Sequence, residues 1–442
     1  MIAIKIFILL CFAFLTIPFS KASRIIIYAL LNQHSYRMEK SMQTSLRTTA
    51  RYYLHAIYFI LKKQPAPIWQ LSKNQSVAIF DGKKKSISDR FNYLDHLNTQ
   101  KPSIGVSRET LFISKPTNKV FALFFSSVLF GVFLPISIFT RKRRGSIALI
   151  MLEFVEWIAL TETLRMNNIK YLYHFSSYEK DAPFIGWLNN KFGITNHKIP
   201  SSNPLSNFYN YTYCDVLAIT TPFQIPEIDL LSNNWRVKAF SYWPIENFQK
   251  LLPYLNKEDT PNRKKYQLGF LSSGIWLRQK QGHTPLGIGD QESELALLEL
   301  LREFLNCNPN TSFIILLHPI EKQSEDIYKE ACENYRTIFN NIPLNFGIRG
   351  MSSFEYFDSI NTSIAAYSST NLQRLFCGYK TLYAPLKFSY KIYQGSSIQN
   401  IAPTNKKQLF EKLDSTLKLS DKEFFTHNNL WEYHYSKCEF VE

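Results

Sequence analysis

The sequence lacks most of the signatures that would name a chemistry outright. Its six cysteines, at 11, 214, 307, 332, 377 and 438, form no Cys-x-x-Cys pair and no Cys/His group at metal-ligand spacing. Structural zinc and thioredoxin-like redox chemistry are therefore disfavoured. No period of 20 to 50 residues repeats, which removes solenoids and propellers. Glycine and proline, 15 and 20 in number, are scattered, so neither collagen-like order nor extended disorder is indicated. Acidic residues are short, 35 against 51 basic, and no Asp-x-Asp pair stands in a loop where it could hold a cation. The basic runs are not interleaved with stacking aromatics, so nucleic acid is not an expected partner.

What is present is a folded composition, 45% hydrophobic and 15% aromatic over 442 residues, long enough for two domains. Cys214, Cys332 and Cys377 fall beside a strand or within helices and read as small buried hydrophobes, a usage that suits a reducing compartment. The net charge of +16 gathers in short runs, Lys83–Lys85, Arg141–Arg144 and Arg263–Lys265, which favour a polyanionic substrate or an anionic lipid surface. Two apolar stretches point to the second. Ile2 to Phe19 carries one charge, Lys5, and is followed by the small residues Ser20 and Ala22, so residues 1–22 read as a secretory signal, an uncleaved anchor or a buried first element. Val120 to Thr140 is uncharged and, as a helix, roughly 31 Å long. The basic cluster after it places that end in the cytoplasm, and Gly131 or Pro135 would let the helix bend into one leaflet instead of spanning. A buried core helix is the plain alternative. The expected location is the cytoplasmic face of an inner membrane, peripheral or anchored.

Hydrophobic periodicity predicts an α/β chain of two Rossmann-like domains. Residues 23–248 form the first, including the apolar helix 120–140; 249–264 is polar and proline-containing and reads as a linker; 265–442 form the second. In the first, 24–64 is largely helical, Ser76–Phe80 is a strand halted by Asp81-Gly82, and 146–167 is a helix. Strands follow at Lys170–Phe175, Ile194–Ile199, Asp215–Thr220 and Trp235–Tyr242, with a helix over Pro183–Phe192 stopped by Gly193. In the second, strands at Tyr266–Leu271, Ser312–Leu317, Leu344–Ile348, Ser363–Tyr367 and Thr381–Ala384 alternate with helices over Gln291–Asn306, 322–335, Ser353–Asp358, Asn371–Cys377 and Lys406–Leu417. The aromatic tail with Trp431, Tyr433 and Tyr435 is expected to pack as a helix across the domain junction.

Ligands of open α/β sheets bind at the carboxyl ends of the strands, so residues there are the candidates. His318-Pro319 ends the second strand of the C-terminal domain. A histidine there can bond a phosphate oxygen or protonate a leaving phosphate, and the proline fixes its direction, although a capping histidine looks the same. Ser368, Ser369 and Thr370 open a helix, where hydroxyls and free N–H groups either cap it or bind an anion. Gly269 to Gly274, with Ser272 and Ser273, lets a ligand approach the backbone, and Arg278 follows closely. This stretch is neither a G-x-G-x-x-G fingerprint nor a P-loop. Arg349 after the third strand is a further phosphate clamp candidate.

His318-Pro319 followed about fifty residues later by Ser368-Ser369-Thr370 resembles the bacterial sialyltransferases and polysialyltransferases of the two-domain GT-B type, and related capsule polysaccharide transferases. The resemblance covers mainly 264–416. It implies that His318, Pro319 and the serine pair hold a nucleotide-activated sugar, and that an acidic residue of the N-terminal domain deprotonates the acceptor. Asp81 in Phe80-Asp81-Gly82 matches that acidic motif, with Phe80 where the family has a first acid. Glu179 and Asp181, in Tyr178-Glu179-Lys180-Asp181, are the rival bases, or simply a helix-starting acidic pair. The implied function is inverting, metal-independent glycosyl transfer without a cofactor, from a nucleotide-sugar to a surface glycan or glycolipid. Transfer of another phosphate-linked group, such as glycerol phosphate, and a non-catalytic membrane-associated scaffold are the alternatives.

Overall fold

The computed structural model describes residues 2–20, 46–63, 77–80, 104–139, 144–175, 182–199, 213–219, 236–242, 248–255, 264–280, 290–340, 342–366, 368–387 and 396–437. The chain divides into two compact units. One takes Met1–Ser201, Phe208–Ala218 and Ser232–Ser241; the other takes Ser202–Asn207, Ile219–Leu231 and Tyr242–Glu442.

The first unit holds helices α1 (Ile2–Leu15), α2 (Leu46–Leu61), α3 (Pro116–Phe139), α4 (Arg144–Met166) and α5 (Ala182–Lys191). Its strands are β1 (Val77–Phe80), β2 (Ile104–Val106), β3 (Tyr171–His174), β4 (Thr195–Lys198), β5 (Tyr213–Ile219) and β6 (Arg236–Tyr242), in the sheet order β2-β1-β3-β4-β5-β6. The pairings from β2 through β5 are parallel. Strand β2 is absent from the sequence reading because three residues, Ile104 to Val106, give no period to detect. All four residues of β1, Val-Ala-Ile-Phe, are buried, as a strand covered on both faces requires.

Helix α4 lies at the centre of the helical layer, with Phe154, Trp157, Ile158 and Ala159 at most 1% exposed. The apolar stretch after Val120 does form one helix, but α3 turns Ala122 and Phe125 into this core. Phe125 meets Phe154 at 4.0 Å between ring centroids and Phe7 of α1 at 5.0 Å. The reading of 120–140 as a possible span is corrected accordingly: among the described residues no helix is long and apolar enough to cross a membrane. Helix α1 likewise buries Ala3, Ile6, Leu10 and Ala13 in the unit's core.

The second unit is a five-stranded parallel sheet, in the order β11-β10-β7-β8-β9. It is built from β7 (Tyr266–Leu271), β8 (Phe313–Leu316), β9 (Asn345–Phe346), β10 (Ile360–Ala365) and β11 (Thr381–Tyr383). Its helices are α6 (Ile275–Lys280), α7 (Asp290–Cys307), α8 (Glu325–Phe339), α9 (Ser369–Phe376), α10 (Lys406–Lys418) and α11 (Asp421–His427). Helix α7 buries Leu297, Leu298, Leu301, Phe304 and Leu305 against the sheet, each such side chain contributing roughly 1.5–3 kcal/mol. Helix α8 starts where Ser324 accepts the Ile327 N–H at 3.2 Å, with Glu325 and Asp326 in its first turn favoured by the helix dipole. Cys214, Cys332 and Cys377 are buried, as their positions suggest.

Three expectations change. The stretch from Ser353 is a single 3-10 turn, Ser353–Tyr356, because Phe357 swings into the core. The aromatic tail makes two 3-10 turns, Trp431–Tyr433 and Tyr435–Lys437, and Tyr433 packs into the second unit's own core. Within the stretch read as a linker, Leu251 is fully buried in that core and Lys264 pairs with Asp421 at 2.8 Å.

Arg374 on α9 is the unusual member of this core, fully buried. Its guanidinium donates to the carbonyls of Phe357, Ile360 and Lys380 at 3.2–3.4 Å and lies over the Phe357 and Tyr379 rings. Burial pulls its pKa down to about 10, which leaves it charged at neutral pH. Arg374→Met leaves three buried carbonyls without that donor and should lower the unfolding free energy by about 3 kcal/mol. Chemical denaturation measures this; a loss below about 1 kcal/mol would contradict the role.

Candidate functional site

The strands of the second sheet run parallel, so their carboxyl ends share one edge. The chain leaves β7 towards β8 and β9 on one side, then returns on the other side of β7 to form β10 and β11. The order reverses between β7 and β10, the place where open α/β sheets leave a crevice for a ligand. Ser272–Gly274 follow β7, His318 follows β8 and Ser368–Thr370 follow β10. With strands about 4.8 Å apart, these three tips lie within roughly 10 Å across the edge.

The tips of β7 and β8 are tied together by Glu321, a fully buried carboxylate. Its Oε2 accepts the Ser272 hydroxyl at 2.7 Å and the His318 backbone N–H at 2.7 Å; its Oε1 accepts the Tyr335 hydroxyl at 3.1 Å and the Trp276 indole N–H. Burial raises its pKa, against the pull of these donors. The 3-10 turn Pro319–Lys322 starts at His318, whose Nδ1 accepts the Ile320 N–H at 3.2 Å while Glu321 reaches back, a capping box. Pro319 stands at the first position of that turn, where its missing N–H costs nothing.

Because Nδ1 accepts, neutral His318 carries its proton on Nε2, which no described residue bonds. Burial first, and then the charges of Arg278 and Lys322, push the His318 pKa down to about 4. At neutral pH it is therefore a hydrogen-bond donor and holds no acidic proton to deliver. Arg278 on α6 stands near it, half-buried, with Nε buried and without a partner. Gly274 makes the approach possible. Its φ is +66°, and a Cβ there would lie 2.6 Å from Ile320 Cγ2 and 3.3 Å from His318 Cβ. On the β10 side, Ser368 caps α9 through the Thr370 N–H at 3.2 Å. Asn371 anchors the turn by donating to the Leu382 carbonyl at 2.9 Å. The hydroxyls of Ser369 and Thr370 stay uncommitted in the first turn, among the described residues.

Other candidates are spoken for. Gly269 lies inside β7, where a Cβ would come within 2.8 Å of Ile360 on β10, so it serves strand packing and not ligand approach. The Ser272 hydroxyl is consumed by Glu321, Tyr335 and the Gly274 N–H. Ser273 gives its N–H to Glu294 at 3.0 Å. Arg349 is held on the surface by Glu325 at 3.0 Å and by the Lys322 carbonyl. Asp81, Glu179 and Asp181 lie outside the described residues.

The strand ends that precede those acids are described. The first sheet reverses order between β1 and β3, where Phe80 and His174 are register partners. His174 is fully buried, and neither ring nitrogen has a hydrogen-bond partner. Burial, with the Lys198 and Arg108 charges, takes its pKa to about 3. Lys198 ends β4 beside it, and burial lowers its pKa to about 8. The sequence reading missed His174, which it placed inside the strand Lys170–Phe175, whereas the strand ends on that histidine as β8 leads to His318. It also missed Glu294, which occupies the apolar face of α7 three, four and seven residues before Leu297, Leu298 and Leu301. Burial raises the Glu294 pKa to about 7.

These shifts set opposite pH dependences. His318 takes up a proton near 6.5 when unfolded and about 4 when folded, so its contribution to stability is lost as pH falls across that window. Glu294 holds its proton to about 7 when folded against 4.5 unfolded, so its contribution is lost as pH rises through 7. His318→Asn should flatten the acid side of a melting-temperature profile between pH 6.5 and 4, and Glu294→Gln the side between 4.5 and 7. Profiles parallel to that of the parent protein would refute both assignments.

No protein-family model matches the sequence, and no curated protein matches it. Among solved structures, an O-GlcNAc transferase mutant of Thermobaculum terrenum aligns with 96% of this chain and 79% of its own, at 10% identity and a TM-score of 0.40. A UDP-glucose:anthocyanidin 3-O-glucosyltransferase in complex with UDP aligns with 82% of this chain and 94% of its own, at 10% identity and a TM-score of 0.41. A UDP-GlcNAc 2-epimerase from Neisseria meningitidis bound to UDP-GlcNAc gives the same coverages, identity and score. Likeness at that level carries no weight for the chemistry of this chain, which rests on its own residues.

Proposed function

We propose that the second unit binds the diphosphate of a nucleotide-activated sugar and that the protein transfers the sugar to a hydroxyl of a surface glycan or glycolipid. One observation carries this reading. The Arg278 Nε, the His318 Nε2–H and the first turn of α9 are hydrogen-bond donors left over at one sheet edge, beside its order reversal. Donors in excess, with the nearby carboxylates of Glu321 and Glu294 already engaged, call for an anion with several oxygens.

In the reaction the acceptor oxygen forms a bond to the anomeric carbon as the bond from that carbon to the phosphate oxygen breaks. The phosphate departs with the electron pair, and its charge is met by Arg278, His318 and the α9 N-terminus. A carboxylate takes the acceptor proton; Asp81, which follows β1, is the first choice, with Glu179 and Asp181 as alternatives. A single displacement inverts the anomeric centre. The charge on the leaving group is neutralised by protein donors, so the proposal invokes no metal and no cofactor.

A thermal-shift screen of the purified protein against CMP, UDP, GDP and CDP and their sugar conjugates tests the reading. One nucleotide at a hundredfold excess over its Kd should raise the melting temperature by roughly 5 °C or more. Arg278→Ala should abolish most of that rise without moving the melting temperature of the free protein. His318→Ala should cut turnover by about 10²–10³-fold. No shift with any nucleotide removes the proposal. A shift indifferent to the sugar favours transfer of another phosphate-linked group.

A further inference from the structure

Helices α1, α2 and α3 form an outer layer over α4. Phe7 of α1 packs on Phe121 and Phe125 of α3, and Tyr53 of α2 stacks on Phe130 of α3 at 4.3 Å between centroids. All three contact α4. Their inward faces are buried: Ile6 and Leu10 on α1, Ala56 and Ile60 on α2, Ala122 on α3. A helix of a soluble protein then turns polar residues outward. These do not. Ile8 and Phe12 are 59% and 57% exposed, Leu54 and Tyr58 are 62% and 69%, and Val120 and Phe124 are 69% and 66%. Each pair is four residues apart, so each helix presents an apolar stripe opposite its buried one.

The charges of the layer have one sign. The three helices contain Lys5, Arg47, Arg51 and Lys119 and no acidic residue. Lys62 and Lys63 follow α2, Lys115 precedes α3, and Arg141-Lys142-Arg143-Arg144 comes next in the sequence. Apolar stripes on helices whose own charges are all basic complement anionic headgroups above acyl chains. It does not complement itself, because a two-fold contact between copies would set the basic residues against one another. Nor would these helices cross: among the described residues no helix is long and apolar enough to span a membrane, and α1, with 14 residues, reaches only about 21 Å of the roughly 30 Å needed.

We infer that α1, α2 and α3 form a single docking face by which the first unit lies in the headgroup region of an anionic bilayer without spanning it. The inference is independent of the sugar-transfer proposal, because none of its residues lies at a strand tip.

Flotation of the purified full chain with vesicles of phosphatidylcholine alone, or with 30% phosphatidylglycerol, tests it. At moderate salt the protein should float with the anionic vesicles at least tenfold more tightly than with the neutral ones. It should be released by alkaline carbonate, as a spanning protein is not. The variant Ile8→Glu/Tyr58→Glu/Phe124→Glu should stay in the soluble fraction with an unchanged melting temperature. Should that variant melt early, the single substitution Tyr58→Glu, with at least a fivefold weaker binding expected, replaces it. Failure of the parent protein to float, equal binding by the variants, or resistance to carbonate each overturns the inference. So does a dimer in light scattering that the same substitutions disperse, which would assign the face to a second copy. A nucleotide shift with no flotation would leave the transfer reading intact and remove only this one.

Discussion

A buried carboxylate accepting bonds from four separate places is costly to desolvate and stays only where every lone pair is used. Glu321 meets that condition. It fastens the turn after β7 through Ser272, the turn after β8 through the His318 backbone, α6 through Trp276 and α8 through Tyr335. The positions of His318, Gly274 and Arg278 are consequences of that one group. A neutral side chain at 321 would leave these donors facing one another, and the two tips would lose their common reference. The donor edge is thus rigid because its acceptor is already spent inside the fold.

The same chemistry explains why the edge suits an anion. Interior carboxylates take up the internal donors, so the donors that remain, the Arg278 Nε, the His318 Nε2–H and the Ser369 and Thr370 hydroxyls, have no partner within the described residues. The first unit repeats the layout with different residues. His174 and Lys198 stand at its own point of strand reversal, and burial holds the imidazole neutral and depresses the ammonium pKa. In both sheets polar residues gather at or just after the carboxyl ends of parallel strands, while β1 and β8 are apolar throughout.

Much of this was legible beforehand. The second sheet was readable strand by strand, because continuous runs such as Phe313–Leu316 alternate with a strongly amphipathic α7, and parallel order follows from that alternation. His318 and Ser368 were readable as strand-tip residues. Other candidates have internal partners that the sequence does not reveal. Gly269 and Gly274 look alike in sequence, but one faces Ile360 inside the sheet and the other the His318 turn. Ser272 and Arg349 have the right chemistry for a ligand, but the buried Glu321 holds the first and the surface carboxylate of Glu325 holds the second. Glu321 stands three residues after His318, but its role in tying the tips together carried no local signal, since Ser272, Trp276 and Tyr335 lie 14 to 49 residues away.

Helices α1 and α3 mark the same boundary in the other unit. Hydropathy is a sum over all sides of a helix, so it reports that these segments are apolar and not which side meets protein. The sequence by itself determined the alternation of strands and helices and the chemical kinds of residue at the strand tips, because those follow from local periodicity and from where strands end. Only the tertiary structure decided which donors are spent and which are left over, and which apolar stripe faces α4 and which faces outward. Hydrogen bonding and burial are settled by neighbours distant in the chain, and a local pattern contains no information about them.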